Sequence, residues 1–388
     1  MSQRVVWVSQ TFSMGGAEVF TADLLAWLNR HGWPVVAYVT HRPFAELLRS
    51  KGLRAHHLPI ALDIIGDWKG LVKVMILFLP ALIQYSYLTW HIRQSGILLM
   101  SGYTEKIIMT WLARLTRQPV VWIEFGPLQT VFTKFLGLPK LLYFSAKNLP
   151  HYVIVPSTHT LQNLIKSAHI SLAKLQVIAC ASDIRSLTRR RSSHLIVCVS
   201  RLEPGKGQDI LLTALARVKK TYPDVKLQIV GSMTQFGQQL RQQVRRLKLE
   251  DSVELTGHVA DVRPYLAQAQ LAVFPSVWPL EGFGLVMIEA MASGTPVVAF
   301  RTGPAPEILD SGRAGFLVDE LTASGLAQVL INSLRRPTLA EKIGQIGRQR
   351  YLKNYRFDQV GPAYEAVLRR ALADSQIKNT AKVTTPQK

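Results

Sequence analysis

The sequence predicts an α/β protein made of two doubly wound domains, and three observations carry that prediction. Its 388 residues are too many for one ordinary core and suit two domains of similar size. Short β-branched runs alternate with longer helical patterns through both halves, as parallel strands joined by crossover helices require. Glycine-rich turns follow some of these runs and open the next helix, which is where such sheets hold anions.

In order, the first strand is expected at Arg4–Ser9, where Val5, Val6 and Val8 are β-branched. Further strands are expected at Val35–Thr40, Ile97–Ser101, Val120–Glu124 and Tyr152–Pro156, separated by helices at Ala17–Arg30, Phe44–Ser50, Thr104–Arg114 and Thr160–Ser167. The second half repeats the pattern. Its strands are expected at Leu195–Ser200, Lys226–Gly231, Val253–Thr256, Leu271–Phe274 and Pro296–Phe300, and its helices at Gln208–Thr221, Gln238–Lys248, Val262–Gln268 and Leu285–Ala292. The polar stretch Arg189-Arg190-Arg191-Ser-Ser reads as a linker, giving domains at 1–187 and 188–356. Two such domains facing each other would set their strand C-terminal ends along one cleft. The last stretch, 375–388, lacks periodicity and is expected to be a mobile tail.

Composition narrows the class. The hydrophobic share of 48% with 18% charged residues is that of a globular chain. Cys180 and Cys198 are not spaced as a metal or redox pair, so a reducing compartment is the default. Residues 1–10 read as a strand, not as a signal peptide, and a cytoplasmic location is the expectation. The net charge is +21, with 18 Lys and Arg against 8 Asp and Glu in residues 1–185 and 28 against 17 in residues 186–388. A surface so evenly basic attracts polyanions, anionic lipid headgroups or phosphorylated substrates. No zinc-finger or RNP-type signature is present, so a nucleic-acid partner is not expected.

The segment Leu71–Thr89 departs from the plain soluble pattern, being nearly long enough to span a bilayer. It contains Lys73, Pro80 and Gln84 and is flanked by Asp67, Lys69, Trp90, His91 and Arg93. It reads as a buried crossover helix, or as a helix with an apolar face dipping into a membrane surface. A true span would interrupt the strand–helix alternation and is the least favoured reading.

The residue runs richest in chemistry lie in the second half. In Leu280-Glu-Gly-Phe-Gly-Leu-Val-Met-Ile-Glu289, a Gly-Phe-Gly turn runs into a helical pattern between two carboxylates, Glu281 and Glu289. Free N–H groups and the helix dipole make such a start an anion site. With carboxylates nearby, it suits a ligand bearing both phosphates and hydroxyls, such as a nucleotide sugar. In Ser200-Arg-Leu-Glu-Pro-Gly-Lys-Gly-Gln208, Arg201 and Lys206 lie five apart across a Pro-Gly turn and can both address one diphosphate. Neutralising a departing diphosphate stabilises charge that develops in the transition state. Near the N-terminus, Gly15 and Gly16 in Ser13-Met-Gly-Gly-Ala-Glu18 would let backbone approach a phosphate or sugar, although a simple tight turn explains them equally. The two glutamates are not a glycosidase pair. Eight residues of helix would separate them by roughly 12 Å, beyond the roughly 5–9.5 Å such pairs require.

Together these pieces resemble the retaining GT-B glycosyltransferases, specifically glycosyltransferase family 4, over nearly the whole chain. The matching stretches include the GGAE loop, SRLEPGKGQDILLTAL (200–215), ELTGHV (254–259), PSVWPLEGFGLVMIEAMASGTPVVA (275–299) and GPAPEIL (303–309). The resemblance implies that Arg201 and Lys206 bind the donor diphosphate and that Glu281 contacts the donor sugar. It implies that the N–H groups of Gly282, Phe283, Gly284 and Leu285 hold phosphate and sugar, and that Glu289 binds the ribose. Gly257 and His258 would contact the base, and Gly16 would approach the donor from the first domain. A final helix, 357–374, would cross back to the first domain. No Asp-x-Asp motif is present, so no metal and no further cofactor are expected, and the two cations would replace the metal.

Two departures stand out. Many members carry a His beside the reacting centre, where this chain reads Trp122-Ile-Glu-Phe-Gly126. Glu124 is a candidate acceptor-side base there, or a carboxylate that caps the loop. Cys180 and Ala181 stand where an Asn-Gly turn is usual. The implied activity is transfer of a sugar from a UDP- or GDP-sugar to a hydroxyl acceptor, a glycan or lipid-linked precursor at the cytoplasmic face of an anionic membrane. A sugar-nucleotide epimerase or phosphorylase, and a degenerate transferase acting as a membrane scaffold, are the competing classes.

Overall fold

A computed structural model describes residues 4–62, 68–93, 96–126, 128–184, 192–278 and 281–383. The chain divides into two compact units, Met1–Cys180 with Phe357–Lys388, and Ala181–Arg356.

The first unit alternates β1 (Val5–Ser9), α1 (Gly16–Arg30), β2 (Val35–Val39), α2 (Arg42–Ser50) and β3 (Arg54–His57). It continues through α3 (Trp68–Ile92), β4 (Ile97–Met100), α4 (Tyr103–Leu115), β5 (Val120–Ile123), α5 (Gln129–Phe132) and α6 (Leu138–Ala146). It then adds β6 (Tyr152–Val155), α7 (Thr158–Ala168) and β7 (Leu175–Val177). The seven strands are parallel in the order β3-β2-β1-β4-β5-β6-β7. β1, β4 and β5 are buried along their whole length, as parallel strands covered on both faces must be. Val6, Val8, Leu98, Met100 and Trp122 join one core with residues of α3, α4, α6 and α7.

The second unit runs β8 (Leu195–Val199), α8 (Gln208–Val218), β9 (Lys226–Val230), α9 (Gln235–Arg246), β10 (Val253–Gly257), α10 (Arg263–Gln268) and β11 (Leu271–Phe274). It closes with α11 (Leu285–Ala292), β12 (Val297–Phe300), α12 (Ala305–Ile308), β13 (Phe316–Val318), α13 (Ala323–Arg335) and α14 (Pro337–Asn354). Its six parallel strands are ordered β10-β9-β8-β11-β12-β13. The core here joins Ile196 and Cys198 of β8 to Leu211, Leu215 and Val218 of α8 and Leu326 and Leu330 of α13.

The chain returns to the first unit through α15 (Phe357–Val383), which contacts α1, β4 and β5. Phe357 stacks on Phe20 with ring centroids 5.8 Å apart. Gly361 lies so close to Trp27 that a Cβ there would sit 2.5 Å from the indole. The helix therefore covers 375–383, where the sequence shows no periodicity, and 384–388 lie outside the described residues, as does Arg189–Arg191.

The expected strands and helices are present with ends shifted by a few residues. Several elements escape sequence reading for physical reasons. β3 is an edge strand in which only Ala55 is buried, so it shows no alternation. α14 buries Ala340, Gly344, Gly347 and Tyr351 at helical spacing, a stripe of small residues with little hydrophobic signal. A Cβ on Gly344 would lie 2.3 Å from the Gly294 carbonyl, so the stripe exists to let backbones approach.

Candidate functional site

In each sheet the strand order reverses beside the strand that begins the unit, at β1/β4 and at β8/β11. Open parallel sheets bind ligands outside the strand C-terminal ends at such a switch point. The loop leaving β8 carries Arg201 and Lys206, and the loop leaving β11 carries Glu281 to Gly284. Topology thus brings together two motifs that lie 75 residues apart in sequence.

The β8 loop is held from below. Gln208, fully buried at the start of α8, donates from Nε2 to Ser200 Oγ (2.7 Å) and to the Arg201 carbonyl (2.9 Å). Gly207 has φ +76° and a Cβ there would lie 1.8 Å from the Pro275 carbonyl oxygen. The two loops interlock at that point. The Val277 N–H adds a hydrogen bond to the Gly205 carbonyl (3.0 Å). The Trp278 ring lies against Gly205 at a distance that leaves no room for a side chain.

Lys206 Nζ donates to Glu281 Oε2 at 2.6 Å, with the two side chains 13% and 15% exposed. Ser276 Oγ stands 3.4 Å from the same carboxylate oxygen, and Gly303 lies against the Glu281 Cβ. Arg201 is 59% exposed and pairs with Glu203 at 3.2 Å, a surface contact that a stronger anion can displace.

Glu281 precedes α11 and is not part of it, so the helical spacing of 12 Å estimated from sequence does not describe the two glutamates. Gly284 caps the helix with φ +90°, in the left-handed region that favours glycine. The Met287 N–H bonds the Gly284 carbonyl (3.0 Å), and the N–H groups of α11 ahead of it have no intrahelical acceptor. Gly282 and Phe283 are buried, Leu285 and Glu289 are half-buried, and Phe283 meets Tyr355 edge-on at 6.0 Å. Burial, more than the nearby Asp183 and Glu289 carboxylates, pushes the Tyr351 hydroxyl up to about 12. That hydroxyl donates to the Ser182 carbonyl and accepts the Ile184 N–H (3.0 Å), tying 182–184 to α14. At the end of β10, Gly257 has φ +83° with open space around its Cβ position, and His258 is exposed.

The first unit holds the remaining candidates. Gly15 and Gly16 form the start of α1, with Gly16 exposed. Glu124 is buried, paired with Lys106 (2.8 Å) and accepting from the Tyr143 hydroxyl (2.9 Å). Lys106 Nζ also donates to the Ile123 carbonyl (2.8 Å). Glu105, fully buried at the start of α4, accepts the Gln10 N–H (3.2 Å), and burial pushes its carboxyl up to about 7. Both cysteines are buried and free. Burial raises both thiols, that of Cys198 to about 12. Among the described residues no three His, Cys, Asp or Glu side chains converge as a metal site would need.

Sequence reasoning missed Gln208, Ser276, Lys106 and Tyr143. Gln208 and Ser276 sit inside the quoted motifs, Gln208 closing the run after Lys206 and Ser276 opening the one before Glu281, and that placement is the signal available.

Residues 193–336 match the family described as Glycosyl transferases group 1. These residues are a domain of that family. It is 30% identical over 267 residues to an MMP alpha-(1->4)-mannosyltransferase of Mycolicibacterium hassiacum, covering 67% of this chain and 61% of that one. It is 30% identical over 198 residues to a GDP-mannose-dependent alpha-(1-6)-phosphatidylinositol monomannoside mannosyltransferase of Mycobacterium tuberculosis, covering 49% and 51%. The chain thus spans about half to three fifths of the length of these relatives. Anabaena HepE, solved with UDP-glucose, superposes with a TM-score of 0.79 at 21% identity over 95% of this chain and 99% of that one. Its fold is accordingly GT-B, two parallel-sheet α/β units of seven and six strands.

Proposed function

We propose that the protein is a retaining, metal-independent glycosyltransferase that moves a sugar from a UDP- or GDP-sugar to a hydroxyl of a lipid-linked glycan precursor. The observation that carries this is the interlock of two loops at the β8/β11 switch point, which pairs Lys206 with Glu281 and leaves the Arg201 guanidinium open to an anion. The family match supports the reaction class. The relatives' names point to mannosyl donors and, for one, a phosphatidylinositol-based acceptor, while HepE was solved with UDP-glucose.

In this reading Arg201 and Lys206 hold the diphosphate, and the first-turn N–H groups of α11 and of Gly282 to Leu285 hold phosphate and sugar. Glu281 orients the sugar hydroxyls, Glu289 binds the ribose, and Gly257 and His258 lie beside the base. The sugar C1–O bond to the diphosphate breaks and a C1–O bond to the acceptor forms on the same face. The acceptor proton goes to the leaving phosphate oxygen, and the nucleoside diphosphate departs. Charge on that leaving group grows in the transition state, which is where two fixed cations act most strongly. The basic balance of the chain suits a peripheral enzyme on the cytoplasmic face of an anionic membrane.

Glu124 is assigned to the acceptor side, held in place by Lys106 and Tyr143. Glu124→Gln separates its possible roles: unchanged turnover excludes a base. The test of the whole reading is incubation with nucleotide sugars and a lipid extract, following nucleoside diphosphate release and the anomeric configuration of the product. Release with retained configuration is expected. Inversion, or release without any acceptor product, would overturn it.

A further inference from the structure

We propose that α3 docks the first unit on an anionic lipid bilayer and that the cleft beside it takes one hydrocarbon chain from that bilayer. The proposal gives the lipid-linked acceptor reading a physical surface and rests on that reading only for the purpose of docking.

α3 is apolar on two faces. Ala81, Tyr85, Leu88 and Ile92 point into the core and are at most 5% exposed. On the opposite side Ile76, Leu79, Ile83, Tyr87 and Trp90 are 61–72% exposed. Their spacing of three, four, four and three residues places them on one stripe roughly 21 Å long. Met75 and Phe78 widen it. From Val74 to Ile92 there is no Asp, Glu, Lys or Arg. Soluble surfaces rarely leave such a contiguous patch uncovered.

The helix is long and apolar enough to cross a membrane, but it is fastened to its unit. The Gln84 side chain accepts the Ile60 N–H (3.1 Å) and donates to the Ile60 carbonyl (3.0 Å). Gln10 Nε2 donates to the Tyr85 hydroxyl (2.5 Å). Spanning would tear these bonds and strip the core of Tyr85, whereas lying in the interface keeps both.

The flanking chemistry is that of a lipid–water boundary. Tyr87 stacks with His91 (6.0 Å) and the Arg93 guanidinium sits 3.9 Å over the Trp90 ring. Aromatic rings with cations beside them favour headgroup depth. In sequence, residues 51–93 carry five Lys and Arg against Asp63 and Asp67; Lys51 is paired with Asp23 (2.5 Å), Arg54 is exposed and Arg93 half-buried. This charge complements anionic headgroups.

Alongside the stripe opens a cleft of about 730 Å³ between α3 and the β3 edge. Leu58, Ile60 and Leu88 line it, and Pro80, Ile83 and Tyr87 belong both to it and to the exposed side of α3. His56, His57 and His91 add polar groups. Its volume is that of a small-molecule site. An apolar cleft continuous with an apolar stripe fits a chain drawn from the bilayer.

The test uses the full chain with phosphatidylcholine vesicles, with and without phosphatidylglycerol. The phosphatidylglycerol includes a fraction carrying a diazirine in its acyl chain. Binding to the anionic vesicles should exceed binding to the neutral ones by about tenfold or more, and Ile76→Asn with Leu79→Asn should abolish that excess. The melting temperature and the thermal shift with UDP or GDP should not change in that variant. After illumination, label is expected on peptides 56–60 and 80–91. Label confined to 75–79 would overturn the cleft assignment. No vesicle binding by a protein that still responds to a nucleotide would overturn docking and leave the transferase reading standing. A dimer in solution that the same double substitution dissolves would assign the face to a second copy and overturn the proposal.

Discussion

Lys206 and Glu281 form the ion pair that joins the two motif loops, so removing either charge should weaken the loops before any ligand is considered. Breaking a fully buried pair from one side costs about 3–5 kcal/mol, and breaking an exposed one less than about 1 kcal/mol. With the side chains 13% and 15% exposed, Lys206→Met should cost about 2–3 kcal/mol. Most of that cost is the Glu281 carboxylate left without its ammonium. Glu281→Gln together with Lys206→Met removes the orphaned charge and should recover about 1–2 kcal/mol of it. The assay is urea unfolding followed by far-UV circular dichroism, with the slope checked because two units need not unfold as one. Additivity of the two substitutions to within about 0.5 kcal/mol would refute the coupling. If stability did couple while nucleotide binding survived Lys206→Met, the pair would be an architectural clamp and not part of a diphosphate site.

Other outcomes follow from the same geometry. Gly207→Ala should destabilise the second unit far more than Gly257→Ala. Both have positive φ, at +76° and +83°, but only at Gly207 does a Cβ meet backbone, at 1.8 Å. The strain common to both is about 1 kcal/mol, so comparing their melting temperatures isolates the clash. Glu105 keeps its proton in the folded chain up to about 7, against an ordinary value of 4.5. The stability this proton gives is present below the unfolded value and lost as pH rises through the folded one, a fall of about 3 kcal/mol. Glu105→Gln should flatten that part of the stability–pH curve, and urea midpoints on either side of the window will show it. Gly361→Ala should loosen α15 from Trp27, because its Cβ would lie 2.5 Å from the indole, and limited proteolysis should then release the C-terminal segment faster.

Much of the site can be read in the sequence because its pieces are local. The run after β8 and the run after β11 each combine a turn glycine, a charge and a helix start within ten residues, so their chemistry shows without a structure. What joins them is topological. That Gly207 abuts Pro275, or that Ser276 stands beside Glu281, depends on β8 and β11 being neighbours. The same holds for Lys106 and Glu124, which lie on α4 and just after β5 and meet only because β4 and β5 pair. The fold is least legible where the buried face is mostly small residues, as in α14, or where a strand has one buried residue, as in β3. In Leu71–Thr89 the apolar signal was plain but its meaning was not. α3 buries one apolar face and exposes another, and a periodic pattern cannot show which face lacks a partner.

The central claim is that the β8 and β11 loops bind a nucleoside diphosphate. Thermal unfolding of the wild type and of Arg201→Ala against UDP, GDP, ADP and their sugars tests it most directly. A ligand at 100 times its dissociation constant should add about 2.7 kcal/mol of stability. The account predicts an upward shift with one base family in the wild type, lost or strongly reduced in Arg201→Ala. A well-folded sample that responds to no nucleotide, or a shift that Arg201→Ala leaves intact, would contradict it.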